Sequence, residues 1–521
     1  MFNFKYIKED FAAGIVVFLV ALPLCLGIAL ASGAPLFAGV IAGIVGGVVV
    51  GFFSGSNLGV SGPAAGLAVI VLHAIQDIGS YNSFLLAVVI AGVLQIIFSF
   101  IGAGKIAFFI PSSVIKGMLA AIGILIILKQ IPHVIGFDKD FEGDESFIQT
   151  DGQNTFTELI NSYLNFTTGP LIIGFISLAI LLFWDSKTIK NIKALSKVPA
   201  ALIAVIIGII LSQSFTGALA LSSEHLVSLP VLGSLSEIST LFSFPNWSAI
   251  TSGIVWKTAI VIAIIASIET LLSVEATDKI DPDKHITPTN KELMAQGVGN
   301  IISGLIGGIP VTQVIVRSTA NTFAGGKTKL SAIIHGLVLL LCVLAIPKVL
   351  NMIPLSALAA VLIMVGYKLT KPALFKDIFK EGQDQFVPFL VTVIGIVLTD
   401  LLMGIGIGLV VGLIYVIYTN FKSAISTSKD GEYRLIKFNK DVFFYNKAKL
   451  MGILSTIEDG ETVYVDATKA SFIDHDIFLT LKEFKETAAN KQITVVYKSI
   501  TRKKINYRKS NAVVSETLTS E

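Results

Sequence analysis

Two short apolar stretches constrain this chain more than anything else in it, because glycine and proline open each one and neither is long enough to cross a bilayer. The first is Gly59-Val60-Ser61-Gly62-Pro63-Ala64-Ala65-Gly66-Leu67-Ala68-Val69-Ile70-Val71, and the second is Gly307-Gly308-Ile309-Pro310-Val311-Thr312-Gln313-Val314-Ile315-Val316-Arg317. A spanning helix takes about 20 apolar residues. A helix that starts at membrane depth leaves its first backbone N–H groups without carbonyl partners, and those donors, backed by the helix dipole, make a site for an anion. Irregular backbone persists at that depth only where protein buries it or where it lines a wet cavity. A proline kink would explain either stretch alone. Two interrupted segments in corresponding positions of two halves point instead to the midplane site of a transporter, so the pair is read as one site.

The rest of the sequence is that of a polytopic membrane protein. Of 521 residues, 53% are hydrophobic and 14% charged, against about a quarter charged in soluble domains. The net charge of +3 is small and scattered, which argues against a nucleic-acid partner. Cys25 and Cys342 both lie in apolar runs and have neither disulfide-framework nor metal-ligand spacing. No cofactor is expected. The run from Phe11 to Ala31 is too long for a secretory signal and is followed by many more.

Apolar runs fall near 11–31, 35–53, the short 62–76, 82–103, 111–131, 169–184 and 198–216, then 253–277, 292–307, the short 311–324, 328–347, 354–367, 384–400 and 402–420. About fourteen segments thus divide seven and seven across 217–252, giving repeats over about 11–216 and 253–420 with the short segment third in each. An odd number per repeat inverts the second copy. With the N-terminus inside, the inner loops collect Lys105, Lys187, Lys190, Lys193, Lys197, Lys279, Lys284, Lys291, Lys327, Lys329, Lys368, Lys371, Lys376 and Lys380. The outer side has only Lys139, Lys348 and, at a span edge, Lys257. That asymmetry predicts both termini in the cytoplasm, in a cell-membrane protein embedded in the lipid bilayer.

The outer connection 136–157 is acidic and reads as a solvated loop, since its carboxylates lack EF-hand spacing. The membrane domain is expected over 1–421. A small soluble α/β domain follows over 432–500, with strands at Val463–Asp466 and Ile493–Tyr497 around a helix from Phe472 to Ala488. The polar tail 501–521 is expected to be disordered.

Glu269 is the most informative side chain. It lies in the apolar run Val261 to Leu272, 12 residues beyond Lys257, or roughly 18 Å along a helix. An ionisable residue at that depth is a functional hypothesis by default, usually with a partner. Ser273 follows one turn later on the same face. Carboxylate and hydroxyl together could hold Na⁺ through oxygen, or the carboxylate could carry H⁺. Arg317, the one arginine inside a predicted span, is the natural partner of Glu269. It could clasp an oxyanion bidentately or brace two helices as an ion pair. Asp474-His475-Asp476 sits at a strand-to-helix turn, His73 and His335 are isolated in apolar runs, and Asp400 ends one; packing or solvation explains each.

These motifs resemble the SulP family of inorganic anion transporters, the sulfate permeases, over nearly the whole chain. The resemblance rests on Asp10 with Ala13-Gly14 and Pro23, Gly33-x-Pro35, Ser61-Gly62-Pro63, Glu269-Thr270-Leu271-Leu272-Ser273, Asn290-x-Glu292-Leu293-x-x-Gln296-Gly297-x-x-Asn300, and Gly307-Gly308-Ile309-Pro310 with Arg317-Ser318. It implies an all-α fold of seven-plus-seven inverted repeats, with spans 1–4 and 8–11 as a core moving against a gate of spans 5–7 and 12–14. It also implies a cytoplasmic STAS domain and a homodimer. Carried over, the anion site falls on Ser61, Gly62, Pro63, Ala64, Ala65, Val311, Thr312 and Gln313 with Arg317 nearby, and the coupling site on Glu269 and Ser273. Three departures stand out. Leu24 replaces the polar residue that many relatives carry after the first-span proline, and Asp474-His475-Asp476-Ile477 replaces the signalling pattern of STAS domains. Glu269 with Arg317 matches proton-coupled sulfate relatives, whereas sodium-coupled bicarbonate relatives have Asp at that position.

The expected function is therefore secondary active transport of an inorganic oxyanion, of the sulfate or bicarbonate class, with H⁺ or Na⁺. An exchanger or channel on the same fold is one alternative. A non-transporting sensor acting through the soluble domain is another, and no nucleophile–base pair or metal set suggests an enzyme.

Overall fold

Prolines set where many of the helices begin. Their missing N–H costs nothing where no carbonyl partner exists. In the computed structural model, Pro35, Pro111, Pro199, Pro288 and Pro354 each occupy the position just before a helix. The structure describes residues 4–139, 147–148, 153–184, 186, 198–229, 241–506 and 512–518. Half of the acidic connection 136–157, residues 140–146 and 149–152, lies outside them.

The chain divides into two compact units, 1–410 and 411–521. The first contains helices α1 (Ile7–Ala31), α2 (Leu36–Phe53), α3 (Ala65–Ile78), α4 (Tyr81–Phe100), α5 (Ser112–Val134), α6 (Thr155–Leu164), α7 (Thr168–Trp184) and α8 (Ala200–Ser214). It continues with α9 (Gly253–Ile280), α10 (Thr289–Ile306), α11 (Ile315–Phe323), α12 (Leu330–Ala345), α13 (Leu355–Leu369), α14 (Pro372–Glu381) and α15 (Gln383–Leu398). A last helix, α16 (Leu401–Ala424), contains the division between the units. Two three-residue strands interrupt this series, β1 (Ser61–Pro63) and β2 (Val311–Gln313). Among the described residues, seven helical stretches are long and apolar enough to cross a membrane, and α6 with α7 form one further bent pair. Four shorter apolar helices, α3, α8, α12 and α15, join them.

The helices of the first unit pack as two groups. In one, α4 and α10 pack against each other, α9 leans on α4, and α1 is held by α2, α11 and α12. In the other, α5 is clasped by α13 and α15, and α7 by α8 and α13. Each group has a crossing where small residues let two backbones touch. A Cβ on Gly92 of α4 would stand 2.6 Å from the carbonyl of Gly297 on α10, and a Cβ on Gly123 of α5 would stand 2.7 Å from that of Gly366 on α13. Such contacts hold helices together where lipid supplies no hydrophobic drive. Between the groups runs a seam, where α1 meets α8 and α13, and α11 meets α13.

The second unit is a four-stranded sheet in the order β3 (Ile425–Asp430), β4 (Tyr433–Phe438), β5 (Thr462–Asp466), β6 (Thr494–Lys498), with β3 antiparallel and the rest parallel. Helices α17 (Lys447–Leu454) and α18 (His475–Ala488) contribute Leu450, Ile477, Phe478 and Leu481 to a core with Ile436, Phe438, Val463 and Val465. The expected strands and helix are present, while β3 and β4 were not anticipated, since Ile425-Ser426-Thr427-Ser428-Lys429-Asp430 is polar and reads as linker. The tail also departs from the expectation of disorder. Thr501–Asn506 and Ala512–Thr517 pair as an antiparallel hairpin, β7 and β8, with Ile505 opposite Val513 and Lys504 opposite Val514.

Arg434 on β4 is buried and binds Glu461 through two bonds, Nε to Oε2 at 2.8 Å and Nη2 to Oε1 at 3.2 Å. This bidentate contact, outweighing partial burial, holds Glu461 at about 2, below the ordinary 4.5. A depressed carboxylate stabilises the fold above its unfolded pKa and ceases to do so as pH falls towards its folded one. Glu461→Gln should therefore lower the protection of β4 and β5 amides in the full-length chain at neutral pH. The difference from the natural sequence should shrink as pH falls from about 4.5 towards 2. Hydrogen exchange corrected for intrinsic pH dependence measures it, and a difference that persists unchanged at pH 2 would contradict the assignment.

Candidate functional site

Strands β1 and β2 come from sequence positions 250 residues apart and pair antiparallel, with Ser61 opposite Gln313, Gly62 opposite Thr312 and Pro63 opposite Val311. All six residues are buried. Gly307 makes the approach to β2 possible. It ends α10 at φ +96, a left-handed conformation that favours glycine.

Two strands of three residues leave some of their backbone groups to side chains, and α10 and α9 supply them. Asn300 Oδ1 accepts from the Val311 amide at 2.6 Å, and its Nδ2 donates to the Val311 carbonyl at 2.9 Å and to Gln95 Oε1 at 2.7 Å. One turn earlier, Gln296 Nε2 donates to Ser61 Oγ at 2.6 Å and to Glu292 Oε1 at 3.0 Å. Glu292 Oε2 in turn accepts from Ser54 Oγ and the Gly55 amide, ahead of β1. Ser303 Oγ donates to the Ile309 carbonyl at 2.8 Å. From α9, Thr270 Oγ1 accepts from the Gln313 amide at 3.3 Å, and Thr277 Oγ1 from Gln313 Nε2 at 3.2 Å. Gln313, expected at the anion site, spends its side-chain amide bracing α9.

The two strands deliver the chain to two helix starts. α3 begins at Ala65 after Ala64, and α11 at Ile315 after Val314, and neither start has a side-chain cap. Both therefore present backbone N–H groups and the positive end of a helix dipole beside the crossing. Thr312, between them, is fully buried, and its hydroxyl has no protein partner among the described residues.

Arg317 lies in the first turn of α11 and is fully buried. Its Nη2 bonds to Cys25 Sγ at 3.3 Å, while Nε and Nη1 have no hydrogen-bond partner among the described residues. A Cβ on Gly62 would lie 2.1 Å from Nη1, so the guanidinium rests on the face of Gly62 where a side chain would otherwise stand. Fully buried His335 of α12 is nearby, and among the described residues neither ring nitrogen has a hydrogen-bond partner. Glu269 of α9 occupies a different setting, against the first turn of α3, where a Cβ on Gly66 would lie 3.2 Å from Oε1. The bond that Arg317 makes from Nη2 is to Cys25, on α1. Ser273, buried one turn along α9, accepts at its carbonyl from Thr277 Oγ1 at 2.6 Å. The structure gathers Ser61 to Ala65, Val311 to Gln313, Arg317 and Glu269 around one crossing, and sets Arg317 at the β1 end of the approach and Glu269 at the α3 end.

Two other motifs have structural explanations. Asp10, fully buried, accepts from the amides of Lys327 and Thr328 and from Thr328 Oγ1, fixing the turn between α11 and α12. Asp474 and Asp400 accept from the Asp476 and Met403 amides, at the starts of α18 and α16. The polar ladder Glu292, Gln296, Asn300 is the feature that sequence reasoning left without a role. Its signal was present as three polar residues four apart, on one face of an otherwise apolar helix.

Two cavities lie along the seam. One of about 550 Å³ is lined by Pro23, Gly27 and Leu30 of α1 with Asp138, Glu224 and Leu355. The other, of about 260 Å³, is lined by Ala12 and Val16 of α1 with Ala320 and Phe323 of α11 and Val365 of α13. Between them along α1, Val17 to Leu22 are buried throughout.

Comparison with known proteins places the chain among anion-transporter relatives. A family model described as the sulfate permease family matches residues 7–392. The sulfate-transporter candidate YvdB of Bacillus subtilis is 29% identical over 418 residues, covering 80% of this chain and 74% of that protein. The bicarbonate transporter BicA of Picosynechococcus is 27% identical over 418 residues, covering 78% and 70%. The solved structure of the murine Slc26a9 anion transporter superposes with a TM-score of 0.67 at 17% identity, covering 95% of this chain and 86% of that one.

Removing the ladder's central residue should loosen the crossing. Asn300→Ala strips both bonds from buried Val311, and the loss is expected to destabilise the protein by about 2–4 kcal/mol. Thermal unfolding of the purified full-length chain would show it. A melting temperature equal to that of the natural sequence would mean the crossing holds without Asn300.

Proposed function

The chain belongs to the sulfate permease family, and from that premise we propose that it carries an inorganic oxyanion across the cytoplasmic membrane by alternating access, driven by H⁺ or Na⁺. The observation that supports this most is the fully buried Arg317, two of whose nitrogens have no partner among the described residues, set beside two uncapped helix starts. A buried guanidinium without a carboxylate is costly, and an anion at the crossing offsets that cost. Backbone amides and a guanidinium suit sulfate and bicarbonate alike, so these are the two substrates to test.

Several finer features belong to the same proposal. The antiparallel β1–β2 pairing is what two inverted copies of a seven-segment repeat would produce, making fourteen segments with both termini in the cytoplasm. Movement of the two helix groups along the seam would open one cavity while closing the other. The second unit, a sheet backed by α17 and α18, is read as a STAS-like domain, and the protein as a homodimer.

Glu269 supplies the coupling in this reading. Its carboxylate stands at the first turn of α3, where a negative charge competes with the substrate for the same helix dipole. Neutralising it with H⁺, or with Na⁺ shared with Ser273, frees that end of the site for the anion. Loading of cation and anion are then linked reciprocally.

Uptake into proteoliposomes of radiolabelled sulfate and bicarbonate, each under separate Na⁺ and H⁺ gradients, tests the proposal. Concentrative uptake driven by one cation is expected, and anion flux that never exceeds equilibrium would instead favour a channel or exchanger. Arg317→Ala should weaken anion affinity more than about tenfold, with lysine restoring part of it, since a charge-assisted contact contributes about 1.5–3 kcal/mol. Unchanged affinity would leave Arg317 a structural residue. Glu269→Gln should still bind anion yet fail to concentrate it, and cation-driven accumulation surviving that change would remove Glu269 from coupling.

A further inference from the structure

Cys25 of α1 and Arg317 of α11 are both fully buried, and the sulfur accepts from Nη2 at 3.3 Å. Three further elements close around that bond. A Cβ on Gly43 of α2 would stand 2.5 Å from Cys25 Sγ, 2.9 Å from Cδ2 of Leu339 on α12 and 3.7 Å from Arg317 Nη1. A Cβ on Gly62 of β1 would stand 2.8 Å from Cζ and 3.5 Å from Nε of the same guanidinium. The thiol and the guanidinium thus occupy a slot that exists because α2 and β1 each present a glycine to it.

A buried cysteine is ordinarily a small apolar filler. Cys25 differs in touching the one cation that the transport reading places at the anion site, and in the kind of acceptor it offers. A carboxylate in its place would orient the guanidinium and neutralise it at once. A thiol is neutral and a weak acceptor, so it orients the group and leaves its charge whole. Nη2 keeps a second N–H, and Nε and Nη1 have no hydrogen-bond partner among the described residues. The guanidinium is therefore held by one nitrogen, with donors left over for an oxyanion. A side chain that is ordered before the anion arrives need not be ordered by it, and that saving shows as affinity.

We propose that Cys25 is a positioning residue for the anion site: its sulfur holds the Arg317 guanidinium against Gly62 and so sets how tightly an oxyanion binds. The proposal rests on the transport reading above.

The test measures the half-saturating concentration and the maximal rate separately, for uptake of radiolabelled sulfate and bicarbonate by the full-length protein in proteoliposomes. Cys25→Ala should raise half-saturation about fivefold, the effect of losing one modest hydrogen bond, and leave the maximal rate close to that of the natural protein. A merely structural cysteine would change the amount of active protein, and hence the maximal rate, without moving half-saturation. Cys25→Ser restores a neutral acceptor and should recover most of the loss. In Arg317→Ala, which has no guanidinium to position, adding Cys25→Ala should weaken the anion no further. Gly43→Ala gives a second route that keeps the thiol: its Cβ displaces the sulfur while reaching Nη1 only at an ordinary contact distance, and it should raise half-saturation as Cys25→Ala does. The proposal is overturned if Cys25→Ala and Gly43→Ala leave half-saturation unchanged, if Cys25→Ser is no better than Cys25→Ala, or if the Cys25→Ala effect persists at full size in Arg317→Ala. Failure of the transport reading looks different: the natural protein then shows no saturable flux of either anion, or Arg317→Ala keeps the natural affinity, and the role of Cys25 falls with it.

Discussion

Everything at the candidate site depends on holding an extended backbone inside a bundle of apolar helices. Hydrocarbon offers no partner for a free N–H or C=O, so each such group has to be met by protein. Here the partners are arranged in two tiers. β1 and β2 satisfy each other across three residue pairs, and Asn300 and Gln296 on α10, with Thr270 on α9, take up groups the short strands leave over. Once that crossing is fixed, α3 and α11 begin directly after it. In the proposed function, the site's attraction for an anion thus follows from how the chain solves a hydrogen-bonding problem.

The same arrangement also sets the surroundings of two charges that sequence reasoning had paired. Depth in the membrane suggested that Glu269 and Arg317 should meet, because each is costly alone. Tertiary structure gives them different neighbours, Gly66 for the carboxylate and Gly62 with Cys25 for the guanidinium. The two glycines lie four residues apart on one short stretch. In the proposed function, opposite charges at the two ends of that stretch answer a substrate anion and a coupling cation.

How much of this was legible in the sequence varies with the range of the interaction. Short Gly-Pro segments are local signals, and they marked the place of α3 and α11, which begin three and four residues beyond the expected starts at 62 and 311, while the strands that occupy those residues were not expected. The alternation of Val463 and Val465 and the spacing along α18 are local as well, and the second unit's later elements followed from them. What needed the third dimension was partnership: which side chain braces which backbone, and why Gln313 turns towards α9. The polar ladder on α10 was visible as a spacing, yet its target, Val311 and Ser61, could not be read from one dimension. Strand β3 was missed because its polar residues are stabilised by pairing with β4, a contact that composition does not encode.

The account's central claim is that an oxyanion binds at the β1–β2 crossing, between the starts of α3 and α11. The most direct measurement is a structure of the full-length protein with selenate, located by its anomalous scattering. The account predicts an anomalous peak within hydrogen-bonding reach of the amides near Ala65 or Ile315. A single well-occupied peak remote from the crossing, with none between the two helix starts, would contradict it.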